Sequence, residues 1–201
     1  MGPRFWLRIV PACASAIAAT VAGMSLGSRF ASREALIASL AAALVCFVAA
    51  MTFPRTGAWS IALLLGMSLS VGVALAMLAA PGPSSPVPAV ASSILVLSLS
   101  AVVGRLFSSL LRPAYRPLWW LAIALLVLAA SFNLALAAMG GAGLPGLWLS
   151  RWAVAWGALF VFLSAAWFAG LGGDPPGAAA LHLYLLWLNL FLVWTWLMGQ
   201  R

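Results

Sequence analysis

The sequence predicts an all-α polytopic membrane protein, with seven transmembrane helices in a single domain over residues 1–201. Three observations predict this class. Hydrophobic residues make up 66% of the chain and charged residues 6%, with mean hydropathy +1.15. A soluble domain of this size could not cover its surface with so few polar groups. Apolar runs recur at about the 20 residues that a helix needs to cross a hydrocarbon core of ~30 Å. Proline and glycine clusters separate those runs, and the arginines sit at their ends.

The first span is predicted over residues 6–26, after Arg4 and Arg8. Its basic start and small residues resemble a secretory signal, but the apolar run is too long and leads straight into a second span, so a retained helix is expected. Ser15, Ala19, Gly23 and Gly27 recur every four residues, a small-residue stripe that lets another helix approach closely. The second span, 35–53, opens on a capping-like Ser32-Arg33-Glu34-Ala35 and stops at Pro54-Arg55. The third covers 58–80, with Gly66, Ser70 and Ala74 on one small-residue face. Three prolines and a glycine make 81–86 a loop. The fourth, 89–106, is rich in serines expected to bond back to their own helix. Arg105, Arg112 and Arg116, with Pro113 and Pro117, form the most basic connection of the chain. The fifth span, 118–139, starts with the interfacial pair Trp119-Trp120 and holds Asn133 near its far end. The sixth covers 148–171, and a Gly-Gly-Asp-Pro-Pro-Gly turn leads into the seventh, 178–201. That last helix carries two polar interruptions, His182 and Asn189, which share one helical face with Leu186 at i, i+4 and i+7.

Ten arginines, no lysine and two acids, Glu34 and Asp174, give a net charge of +8. In this setting the arginines read as topology signals and partners of lipid headgroups, and nucleic-acid binding is excluded because no basic soluble surface exists. With the N-terminus in the cytoplasm, Arg4, Arg8, Arg55, Arg105, Arg112 and Arg116 lie inside, against Arg29, Arg33, Arg151 and Arg201 outside. The short connections and arginine-only usage fit a bacterial inner (cytoplasmic) membrane.

No enzyme is expected. One histidine, two acids in connections and two cysteines, Cys13 and Cys46, inside apolar runs cannot build a triad, a zinc site or a carboxylate pair. No metal or other cofactor is expected. Asn133 and Asn189 read as interhelical hydrogen-bonding groups worth about 1 kcal/mol each. Eleven tryptophans, among them Trp148, Trp152, Trp156, Trp187, Trp194 and Trp196, read as belt anchors or as a sidewall against lipid or another protein.

The stretch from Leu183 to Leu192, LYLLWLNLFL, followed by Leu197-Met198-Gly199, is similar to the last helix of the Bax inhibitor family, which typically reads LYLDFINLFL. Upstream and in the same order, Gly66-Met67-Ser68-Leu69 resembles the family's EGLSLG stretch, Ser131-Phe132-Asn133-Leu134 its SLVNLF, and Gly157 to Gly170 the helix that normally ends in Tyr-Asp-Thr-Gln. The resemblance implies a Bax-inhibitor-like seven-helix bundle. It also exposes a departure. The family's proposed sensor is a pair of aspartates thought to gate a calcium-permeable leak, and the corresponding positions here are Phe168 and Leu186, with Leu65 in place of a third acid. A calcium site needs several hard oxygen ligands, which Phe and Leu do not supply.

His182 lies one turn from the lost aspartate position at Leu186. It reads first as an interfacial histidine bonded to a neighbouring carbonyl, second as a replacement group titrating between roughly pH 5 and 8, and third as an axial ligand to a haem or pigment of a partner. The expected function is therefore an accessory or scaffolding subunit packed against a larger membrane complex (respiratory, photosynthetic or protease). The alternative is a pH-responsive cation leak or transporter using His182 with Asn133 and Asn189. Membrane lipids are the other expected partner, and no soluble substrate is evident.

Overall fold

The computed structural model describes residues 3–29, 32–52, 58–78, 87–122, 124–125, 128, 146–170 and 176–199. Among them the chain is helical, with no strand. The helices are α1 (Pro3–Gly27), α2 (Arg33–Thr52), α3 (Ala58–Leu78), α4 (Val87–Leu106), the single turn α5 (Ser108–Leu111), α6 (described over 115–122), α7 (Gly146–Gly170) and α8 (Pro176–Gly199). Among the described residues, four stretches are long and apolar enough to cross a membrane: Leu7–Gly27, Trp59–Met77, Val87–Leu106 and Pro176–Thr195. Glu34–Ala50 in α2 and Val154–Gly170 in α7 are shorter apolar stretches. Most of the fifth predicted span, Asn133 included, lies outside the described residues.

The chain gathers into two compact units. The first comprises Met1–Ser84 and Gly172–Leu185, the second Ser85–Leu171 and Leu186–Arg201. In the first, α3 packs along both α1 and α2; in the second, α7 packs along α4 and α5. Helix α8 is continuous through the division, its first half belonging to one unit and its second half to the other.

Local chemistry explains the helix ends and the serines. Ser32 caps α2 as its sequence suggests, its Oγ accepting from the Ala35 N–H at 3.1 Å, with Glu34 in the first turn facing the positive end of the helix dipole. The serines of α4 bond back as expected: Ser93 Oγ donates to the Val90 carbonyl, Ser98 to Ile94 and Ser100 to Val96, at 2.8–2.9 Å. Pro11 sits inside α1 on an exposed position, where its missing N–H removes one rung of the helix ladder.

The basic connection between the fourth and fifth spans carries the α5 turn, closed by Leu111 N–H to Phe107 O and Arg112 N–H to Ser108 O. Gly66, which shares a small-residue face of α3 with Ser70 and Ala74, is not where the α1 glycines cross. Gly23 of α1 faces the backbone of Leu69, Gly72 and Val73, and Gly27 faces Val73 and Ala76, whereas Gly66 faces the Cys46 Sγ of α2. The contact row is set by where the α1 glycines cross, and Gly72 alone allows the Thr20 carbonyl to lie against α3. Nor do the tryptophans form an outward sidewall throughout: Trp187 is 0% exposed and Trp167 is buried too, because large rings fill the space between helices. Trp120 does face outward, at 68% exposure. The side chains of Trp148, Trp152 and Trp196 lie outside the described residues.

Candidate functional site

Helix α8 is the most enclosed of the four long apolar stretches. Of its window, 67% is buried, against 28–33% for the other three. Polar groups on an enclosed apolar span are satisfied by neighbouring helices. Tyr184, near the middle of α8 and fully buried, does so within the first unit. Its hydroxyl lies 2.8 Å from Thr20 Oγ1 of α1 and bonds the Ser68 hydroxyl of α3. Thr20 and Ser68 are themselves fully buried. The result ties α1, α3 and α8 together through three hydroxyls.

The protons of this cluster can be counted. Thr20 Oγ1 donates to the Ala16 carbonyl at 3.0 Å, and Ser68 Oγ donates to the Leu64 carbonyl at 2.6 Å. Each hydroxyl owns one proton, so with those two committed Tyr184 is the donor to Thr20 or to Ser68. Three protons serve four contacts, and one hydroxyl–hydroxyl contact forms only if Thr20 or Ser68 lets go of its carbonyl. The cluster carries no charge. What it can do chemically is fix helix positions and exchange a hydrogen bond between two partners.

The second unit contains a different polar pair. Asn189 Oδ1 accepts from the Trp156 indole N–H of α7 at 3.3 Å. This is the interhelical role expected of Asn189, with an indole as the partner. Around it the contacts are aromatic: Trp187 stacks on Phe191 (centroids 5.1 Å, 17°), and Trp156 tilts against Phe160 at 5.0 Å. Gly157 meets Val193 of α8, and Gly104 of α4 lies against the Ala165 carbonyl of α7.

His182, Leu186 and Asn189 do share a face, since α8 is one unbroken helix. His182 is half-buried with its Nδ1 shielded, Asn189 is half-buried, and Leu186 between them is buried. His182 belongs to the first unit and Asn189 to the second. Phe168, like Leu186 a position where the resembled family carries an aspartate, is buried, packed edge-on against Trp167 and lying over Gly104. Both positions are therefore apolar packing sites. Cys13 is buried and Cys46 half-buried, both as free thiols. Among the described residues no three His, Cys, Asp or Glu side chains gather.

Sequence reasoning passed over Thr20, Ser68 and Tyr184. The signal was present in Tyr184, whose mid-helix position is wrong for an interfacial anchor and demands a buried partner. The comparisons with known proteins add nothing to the residues: no family model, no curated protein and no solved structure matches the chain.

Proposed function

We propose that this chain is a non-enzymatic, Bax-inhibitor-like bundle of seven membrane spans that serves as an accessory or scaffolding subunit of a larger membrane complex. The observation that carries the reading is how the polar groups of α8 are used. Tyr184 and Asn189 are both engaged in bonds to other helices, and the two lost-aspartate positions, Phe168 and Leu186, are buried in apolar surroundings. Such an interior is built to hold helices in place. A further point supports the family resemblance: residues 66–69 and 183–192, two of the stretches that carry it, come together through Ser68 and Tyr184. The fifth span through Asn133 and the bacterial inner membrane with a cytoplasmic N-terminus belong to the same proposal. Arg8, Arg29, Arg105, Arg112 and Arg116 are all exposed, as topology-setting charges must be. Native mass after gentle extraction, with co-purifying chains identified, tests the reading. A stoichiometric large complex is expected; a lone monomer or small homo-oligomer overturns it.

A second reading, a pH-responsive cation leak, is favoured by one observation. His182 stands half-buried on the most enclosed span, with its Nδ1 shielded from solvent. It predicts a flux in liposomes that rises or falls between roughly pH 5 and 8 and that His182→Ala abolishes. Flux that ignores the substitution removes the histidine from any such role.

A further inference from the structure

The connection from α4 to α6 combines features of which the scaffold reading uses only the charge. It begins where the apolar stretch of α4 ends, at Leu106. Arg105, Arg112 and Arg116 are all exposed there, and the segment holds neither of the two acids of the sequence, Glu34 and Asp174. The same segment exposes large apolar groups: Leu106 is 73% exposed, Leu110 71% and Phe107 54%. A charged and greasy surface of this kind would be costly in water, but it matches the boundary between headgroups and acyl chains.

The segment is also ordered by its own backbone. Bonds run from Phe107 N–H to Val103 O, through Leu110 and Leu111 to Phe107 O, Arg112 to Ser108 O and Ala114 to Leu111 O, to Leu118 N–H on Ala114 O. Arg112 is held further. Its Cγ lies 3.8 Å from where a Cβ on Gly170 would stand, so its stem runs along the end of α7. Beyond it, Tyr115 and Trp119 stack at 6.5 Å, and the exposed Trp120 follows. Aromatic rings at this level anchor a segment among headgroups. Arginines held by an ordered connection lose less freedom on engaging a phosphate, and a guanidinium can bond two phosphate oxygens at once.

We propose that the α4–α6 connection is a binding site for the headgroup of an anionic phospholipid, with Arg105, Arg112 and Arg116 engaging the phosphodiester and Leu106, Phe107 and Leu110 seated at the acyl boundary. Basic residues near an anionic surface contribute about fivefold each in affinity, so three give a preference on the order of a hundredfold over a zwitterionic lipid. The test is lipid titration of the detergent-purified full chain, read by native mass spectrometry, with dimyristoyl phosphatidylglycerol against dimyristoyl phosphatidylcholine. The wild type is expected to hold phosphatidylglycerol on the order of a hundredfold more tightly. Arg105→Gln/Arg112→Gln/Arg116→Gln should bring the two lipids within a few-fold, and the matching triple lysine variant should keep the preference. If the triple glutamine variant does not fold, Arg116→Gln alone decides, with about a fivefold loss expected. Equal binding of both lipids by the wild type overturns the proposal, as does a preference that survives the glutamine substitutions. Inorganic phosphate displacing phosphatidylglycerol at equal concentration makes the site one for free anions and overturns the lipid assignment.

Discussion

The two compact units hold their helices together by different chemistry. In the first, glycines bring backbone against backbone (Gly23 and Gly27 on α3, Gly72 on the Thr20 carbonyl), and the three-hydroxyl cluster of Thr20, Ser68 and Tyr184 adds direction. In the second, Gly104 of α4 provides one such approach, Val193 of α8 fills the space over Gly157 of α7, and the Trp156 indole N–H donates to Asn189 across the same two helices. The ring pairs Trp187–Phe191 and Trp156–Phe160 stiffen single helices from within. The difference teaches how a membrane bundle can be specified without charge. Lipid tails are as apolar as leucine, so hydrophobicity does not choose between one apolar helix contact and another. Close approach and shape must do so, and the two units rely on them in different proportions.

Substitutions can break this contrast, beginning where atoms have least room to move. Trp187→Ala should cost the most, about 3–5 kcal/mol, because a fully buried ring leaves a cavity that its stacked neighbour cannot fill. Thermal unfolding in detergent reads it, and a loss below about 1 kcal/mol would mean that α8 is held by something other than its rings. Gly72→Val should follow at about 3 kcal/mol, since its Cβ would be driven into the Thr20 backbone, which no rotamer change can relieve. Gly104→Val, against the Ala165 carbonyl, is the matching test in the second unit. If Gly104→Val is tolerated while Gly72→Val is not, backbone approach governs only the first unit and the contrast sharpens.

Phe168→Asp places an acid where the resembled family carries one. A carboxylate in place of this buried ring costs about 2.5–3.5 kcal/mol if it stays dry and unpaired, and the same melting experiment should show it. Unchanged stability would show that the site admits water or lets the acid reach Arg112 at the end of α7. Tyr184→Phe keeps the ring and deletes one proton donor, for about 0.6–1.7 kcal/mol. A double-mutant cycle with Thr20→Val should give a coupling of similar size, and additive losses would dissolve the cluster as a unit. The smallest effect belongs to Asn189→Leu, about 0.6 kcal/mol through the lost Trp156 bond, with a shift in tryptophan emission as a second readout.

The sequence was legible where local chemistry decides. The Ser32 cap, the serines of α4 bonding to their own helix and the close-packing glycines of α1 all appear where the residues place them. Each depends on neighbours within a turn or on the absence of a side chain. The α5 turn leaves no sequence signal because Ser108–Leu111 is too short to show a period and sits inside a connection marked by arginines and prolines. Of the candidate site residues, Asn189 found a helix partner, while Phe168 and Leu186 proved to be packing positions. The hydroxyl cluster escaped because its members are 48 and 116 residues apart in sequence (Thr20 to Ser68, Ser68 to Tyr184), and a serine or threonine in an apolar helix satisfies itself locally in most cases.

The sequence alone determined the helical class, the apolar stretches fit to cross a membrane and the shared face of His182, Leu186 and Asn189, because these follow from composition and from the period of one helix. Only the tertiary structure decided that Gly72 and not Gly66 receives α1, that Trp187 turns inward, and that Tyr184 meets Thr20 and Ser68. The physical reason is that an apolar helix is nearly uniform around its circumference. Which of its faces meets a neighbour is set by the fit of distant segments, and no local pattern records that fit.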